Sequence, residues 1–294
     1  MWHWGMTPPH GYETQTQFVG ALIGRCGNRI GRSRFTLDGV SYDLPANDGC
    51  NHLHGGRGFH QRFWQAQATE DGLVLTLTSP DGEDGYPGTL SGTVRYALED
   101  RTLHIDYQAQ TDAATLCNLT NHAYWNLSGH ASGPVGEHRI RIPADYYTAV
   151  DDEAIPTGEF AAVAHTPLDL RQPTPIGAHW DAPEEQLRNV GGYDHNFVLR
   201  GEIGVLHEAG RVSAPDTGIT MTVQTTLPGV QFYSGNSMVG MPEGKGGAAY
   251  ERRGGLCLET QFYPDAIHHP AWPQPVLRPQ EVWSHHTSYT FSVE

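Results

Sequence analysis

The sequence predicts an all-β protein, a large antiparallel sandwich or barrel. Three observations carry this. Gly (35) and Pro (20) punctuate the whole 294-residue chain, which leaves little room for long helices. Several short runs alternate apolar and polar residues with period two, the pattern of strands with one buried face. Each run is bounded by Gly, Pro, Asp or Asn, as turns require. A chain of this length can bury a sizeable core, and one layered β domain over residues 1–294 is expected.

The strands follow in order. Residues 72–78 (GLVLTLT) alternate cleanly, and 90–98, 102–110, 218–225 and 287–293 repeat the pattern. Residues 81–88 (DGEDGYPG) form a turn-rich loop between the first two. One short helix is expected at 183–188, with Asp181 as N-cap and Glu184 and Glu185 in its first turn.

Charge narrows the partners. Acids outnumber bases 33 to 18, for a net charge of −15, and Lys245 is the single lysine. No basic cluster is present to neutralise phosphates, so neither nucleic acid nor an anionic membrane is expected as a partner. No apolar stretch reaches the roughly 18 residues of a membrane span. Met1-Trp2-His3-Trp4-Gly5 has neither the basic nor the apolar region of a secretory signal, so a cytoplasmic location is expected. Cys26, Cys50, Cys117 and Cys257 lie far apart with no CxxC pair, which reads as free thiols in a reducing compartment.

Five segments concentrate polar chemistry. In Gly24-Arg25-Cys26-Gly27-Asn28-Arg29-Ile30-Gly31, a glycine-rich bend presents Asn28 and Arg29 as donors to a polar ligand. Taken alone, the segment reads rather as an Arg in a surface turn. In Asn51-His52-Leu53-His54-Gly55-Gly56, two histidines at i, i+2 share a strand face, a metal-compatible spacing. No further ligand run follows, so no metal is expected. His54 before two glycines lines a cavity instead. In the segment from Asn118 through His122 to Leu127 (NLTNHAYWNL), an extended chain puts His122, Tyr124 and Asn126 on one face, costly to bury unless it lines a polar pocket. In Gly191-Gly192-Tyr193-Asp194-His195-Asn196-Phe197, Asp194 suits a sugar hydroxyl or a histidine, and reads otherwise as a turn residue.

The fifth segment, Gly255 to Pro264 (GLCLETQFYP), places Cys257, Glu259 and Gln261 on one strand face, opposite Leu256 and Leu258. A glutamate within an apolar run marks the position of a tuned carboxylate, or else a solvent-facing strand residue. Gln231, in Pro228 to Asn236 (PGVQFYSGN), is a weaker case of the same pattern. His268-His269 and His285-His286 read as surface or rim residues.

Taken together, these segments resemble the aldose 1-epimerase (galactose mutarotase) family. Nine matching stretches stand in family order: GNRI at 27–30, FTLDG at 35–39, LHGG at 53–56, SPDGEDGYPG at 79–88, NLTNHAYWNL at 118–127, IPTGE at 155–159, GYDHNF at 192–197, PGVQFYSGN at 228–236 and CLETQFYPDA at 257–266. The resemblance implies an antiparallel β-sandwich of the galactose mutarotase type, a supersandwich, with a cleft on one sheet face. It also implies that the opening strands are shortened here, because family members have several tens of residues before the stretch that matches near Phe18.

The resemblance further implies interconversion of the α and β anomers of aldohexoses such as galactose and glucose. By position, Glu259 takes the role of general base and His122 that of general acid. Asn28, Arg29, His54, Asp194 and Gln231 take the sugar-binding roles. No cofactor and no metal is expected, the partner is a small aldose sugar, and the chain is expected as a monomer or homodimer. Asp194 is expected to help keep a histidine charged. Three alternatives remain at this point: a non-catalytic carbohydrate-binding β-sandwich, a hexose-6-phosphate mutarotase, and a metal-dependent β-barrel enzyme built on His52 and His54.

Overall fold

The computed structural model describes residues 1–6, 11–238 and 240–293. Two antiparallel sheets dominate them. The larger has nine strands in the spatial order Thr174–Pro175, Arg139–Arg141, His207–Ala214, Ile219–Thr225, Trp283–Val293, Thr102–Thr111, Leu90–Glu99, Gly72–Ser79 and Gln65–Ala68. The smaller has five, in the order Pro156–Ala162, Ala144–Val150, Asp194–Leu199, Gly229–Tyr233 and Cys257–Gln261. The alternating runs read from sequence are strands of the larger sheet, with bounds shifted by a residue or a few.

Period-two alternation explains the core. Val94, Ile105, Tyr107, Met221, Val223 and Tyr289 of the large sheet point inward and meet Phe197, Val230, Phe232 and Leu258 of the small one. The intervening residues of the small sheet then face the other way, and these carry polar groups. Asn196, Gln231 and Glu259 stand directly opposite one another across three strands, so their side chains share that second face. The strand Ala21–Ile23 pairs with Thr120–His122 and contributes to the cover of that face. Both faces of Cys257–Gln261 are therefore buried.

Arg25 holds one loop against this frame. Its buried guanidinium donates to Ser79 Oγ and to the carbonyls of Ser79, Pro80, Pro87 and Gly88. The loop at 81–88 is thus fixed from inside by a cation whose donors are matched to main-chain acceptors. Near the start of the chain, Trp4 stacks on the rings of Tyr124 and Tyr250.

Two expectations are corrected. The short helix runs over Glu185–Val190, and its N-cap is Glu184, whose side chain accepts from Leu187 N–H at 3.2 Å. Asp181 is not the cap because its carboxylate grips Arg253 through two bonds of 2.7 Å. The extended reading of 118–127 holds only for the short strand Thr120–His122. Beyond it, His122 and Tyr124 still reach one cavity, but Asn126 turns away to the carbonyls of Gly133 and Gly254. His285 and His286, read as surface or rim residues, are partly exposed on the long strand Trp283–Val293. His286 Nδ1 is 2.6 Å from Asp106 Oδ1, while His285 packs edge-on against Phe262 and Trp283. His268 is exposed and His269 partly exposed, in line with their reading as surface residues, and both flank the carboxylate of Asp265, at 2.6 and 3.7 Å.

Candidate active site

The second face of the small sheet forms the floor of a cavity of about 260 Å³. Its walls include Asn28, Arg29, His54, His122, Asp194 and Glu259, six of the seven residues singled out from sequence. Gln231 lies just behind and is itself buried; its Nε2 donates to Asp194 Oδ1 at 2.6 Å. A larger groove of about 630 Å³, lined by Leu73, Leu75, Tyr96, Leu103 and Trp125 among others, is mainly apolar and contains none of the seven.

Local backbone geometry aims each group. Asn28 (φ 60°) and His54 (φ 51°) both sit in the left-handed region and tie two loops together. Asn28 N–H donates to His54 Nδ1 at 3.1 Å, and His54 N–H donates to Asn28 O at 2.9 Å. Gly55 follows because a Cβ there would meet the carbonyl oxygen of Gly24 at 2.0 Å. Arg29 Nε donates to Asp48 Oδ2 at 2.7 Å, which fixes the guanidinium at the cavity wall. Behind it, Asp265 accepts from Gly31 N–H at 2.8 Å, and its own N–H donates to Arg29 O at 2.9 Å. One residue of the CLETQFYPDA stretch thus clamps the bend that carries Arg29.

His122 and Glu259 come from different elements and meet at the cavity. His122 Nε2 is 3.7 Å from Glu259 Oε1, and the residues are 5% and 2% exposed. On its other side, His122 Nδ1 lies 3.5 Å from Cys257 Sγ. Burial lowers the His122 imidazole to about 4. Burial raises the Glu259 carboxyl well above its ordinary range, the neighbouring Asp194 raises it further, and Arg29 opposes both. Asp194 is raised as well, first by burial, against the pull of Arg29 and the bond from Gln231. The expectation that Asp194 keeps a histidine charged is therefore corrected. Its carboxylate is engaged by Gln231 and acts on Glu259, and burial governs His122.

His54, His122 and Glu259 bring ligand-type atoms within 4.8 Å of one another. They do not fit a metal as arranged. His54 Nδ1 already accepts a hydrogen bond from Asn28 N–H, so the neutral ring carries its own proton on Nε2 and offers no free lone pair. His54 is instead a donor facing the cavity. The sequence pairing of His52 with His54 also fails. His52 Nδ1 lies 2.7 Å from Pro45 O and its Nε2 lies 2.8 Å from Tyr86 OH, so both nitrogens are used on a ring held away from the cavity.

Phe18, Asp48, Tyr233 and Ser237 also line the cavity and were not picked out from sequence. Asp48 sits in a turn-type run, Asn47-Asp48-Gly49, that reads as an ordinary loop. Phe18 beside Val19 reads as core.

Comparison with known proteins identifies the family. The model of the aldose 1-epimerase family matches residues 2–290. The chain belongs to the aldose 1-epimerase family. Human galactose mutarotase is 44% identical over 98% of this chain and 83% of its own length. The aldose 1-epimerase of Escherichia coli (strain K12) is 42% identical over 99% of this chain and 84% of its own. Among solved structures, the GalM/aldose epimerase homologue from C. elegans superposes with a TM-score of 0.88 at 29% identity, covering 99% of this chain and 88% of that one. Galactose 1-epimerase from Lactobacillus acidophilus gives a TM-score of 0.85 at 28% identity, covering 98% and 84%. As an aldose 1-epimerase family member the protein is an isomerase with a β-sandwich fold. No helix among the described residues is long and apolar enough to cross a membrane.

Proposed function

We propose that the protein is a mutarotase that interconverts the α and β anomers of aldohexoses such as galactose and glucose, with Glu259 as base and His122 as acid. The observation that carries the assignment is the buried His122–Glu259 pair at one cavity wall, with Glu259 Oε2 making no hydrogen bond to any described residue. The volume is below the roughly 300 Å³ at which pockets for drug-sized ligands begin, in keeping with a single sugar ring.

The steps follow from two proton transfers. Glu259 takes the proton of the anomeric O1 hydroxyl. The O1 electrons form the C1=O1 carbonyl, the C1–O5 pair moves to the ring oxygen, and His122 delivers a proton there. Rotation about C1–C2 turns the aldehyde over. The reverse transfers close the ring on the other face. Asn28, Arg29 and the Nε2–H of His54 serve as donors to the sugar oxygens, and Asp194 accepts from a hydroxyl while Gln231 holds it in place. The four unpaired thiols support action in a reducing, cytoplasmic setting.

Polarimetry of freshly dissolved α-D-galactose and α-D-glucose tests this reading. Acceleration over spontaneous mutarotation, proportional to protein and lost in Glu259→Ala, is the expected result. A folded sample that binds galactose without accelerating its mutarotation would replace the reading with a non-catalytic sugar-binding sandwich.

A further inference from the structure

Phe18 is out of place as a packing residue. Its backbone has φ 55°, a conformation that a bulky side chain adopts only under strain. The turn around it is held from both sides: Ala21 N–H donates to Phe18 O at 3.0 Å, and Gly20 N–H donates to His122 O at 3.0 Å. The neighbouring Val19 is buried in an apolar cluster with Trp4 and Tyr124, but Phe18 belongs to none of the buried apolar clusters. Its ring instead meets three imidazoles, with centroids 4.6 Å from His54, 4.8 Å from His60 and 5.8 Å from His122. It is only partly buried and lines the same cavity as Glu259. Strain retained without a packing reason belongs to sites where the side chain acts on a ligand.

We propose that Phe18 is a substrate-contacting wall of this cavity, whose ring receives the carbon-bound hydrogens of the pyranose and shuts water away from His122. The proposal rests on the mutarotase reading. A pyranose presents polar hydroxyls at its rim and C–H groups on its faces. The polar residues on the cavity floor suit the first, and a flat apolar ring suits the second. The same ring excludes bulk water from the acid while the C1–O5 bond is open.

The test is Phe18→Gly. Glycine takes φ 55° without strain, so this variant keeps the turn and removes only the ring. The expected result is a thermal midpoint equal to or above wild type, with KM for galactose raised about tenfold, the loss of one aromatic contact. Phe18→Tyr should restore most of the binding.

A second readout needs no turnover. The His122 imidazole, followed by NMR, should titrate higher than the wild type's value of about 4, because water now reaches it. The groups facing His122 are His54, His60, Glu259, Cys257, Tyr124 and Tyr233, and all are unchanged in the variant. Unchanged galactose affinity together with an unchanged His122 titration would overturn the proposal, as would a lowered thermal midpoint that accounts for the lost activity. If the wild type binds galactose but does not turn it over, the mutarotase reading fails by itself, and galactose titration of Phe18→Gly still decides the role of the ring.

Discussion

His122 Nε2 lies 3.7 Å from Glu259 Oε1 with both side chains almost wholly out of water. Burial disfavours charge on each, raising the carboxyl and lowering the imidazole. Between about 4 and the raised Glu259 value the pair therefore holds one proton. That proton rests mainly on Glu259, while the proposed productive form carries it on His122. The two forms contain the same number of protons, so their ratio does not change with pH inside that range.

The pH profile follows. Below about 4 both groups are protonated and no base is present; above the raised Glu259 value both are deprotonated and no acid is present. We expect a bell-shaped kcat/KM profile with its acid limb near 4 and its alkaline limb well above the ordinary carboxyl range. Initial rates across the pH range check this, after subtraction of the spontaneous reaction. Activity that rises only as a single group of ordinary histidine pKa loses its proton would contradict it.

Glu259→Gln should lose on the order of 10²–10⁴-fold in turnover, the usual contribution of one positioned acid or base. Stability should move the other way. The folded pKa of Glu259 is raised, so its contribution to stability is present at low pH and lost as pH rises through that value. The variant should match wild type at low pH and gain on it in thermal midpoint as pH rises. Paired unfolding scans at several pH values measure this.

Asp194→Asn removes a sugar acceptor and a negative charge beside Glu259. KM should rise. The alkaline limb should move to lower pH because one of the two causes that raise Glu259 is gone, while burial, the larger cause, remains. An unmoved alkaline limb would show that Asp194 does not act on Glu259.

Asp265→Ala strips the acceptor from the Gly31 N–H and loosens the bend that carries Arg29, leaving the main-chain bond from residue 265 N–H to Arg29 O as its tie. An orphaned buried N–H costs about 1–3 kcal/mol. Urea unfolding should show that loss, and galactose KM should rise more than kcat falls, since Arg29 is proposed to bind rather than to transfer protons.

The sequence by itself determined the all-β class, the principal strand runs and the identity of the polar residues that converge. Period two is local: it decides which side chains share a strand face, so Glu259 with Cys257 and Gln261, against Leu256 and Leu258, was legible from spacing alone. The order of nine short stretches pointed to the family. What spacing along one strand does not contain is what lies across from it. That Asn196, Gln231 and Glu259 form one row depends on register among strands distant in the chain. That His52 turns to Pro45 and Tyr86 while His54 turns to the cavity depends on one left-handed residue after a two-residue strand. Phe18 reads as core until its neighbours are seen to be imidazoles. The pKa directions belong wholly to the tertiary structure, because desolvation depends on every segment that closes over the site, and no single stretch of sequence encodes that enclosure.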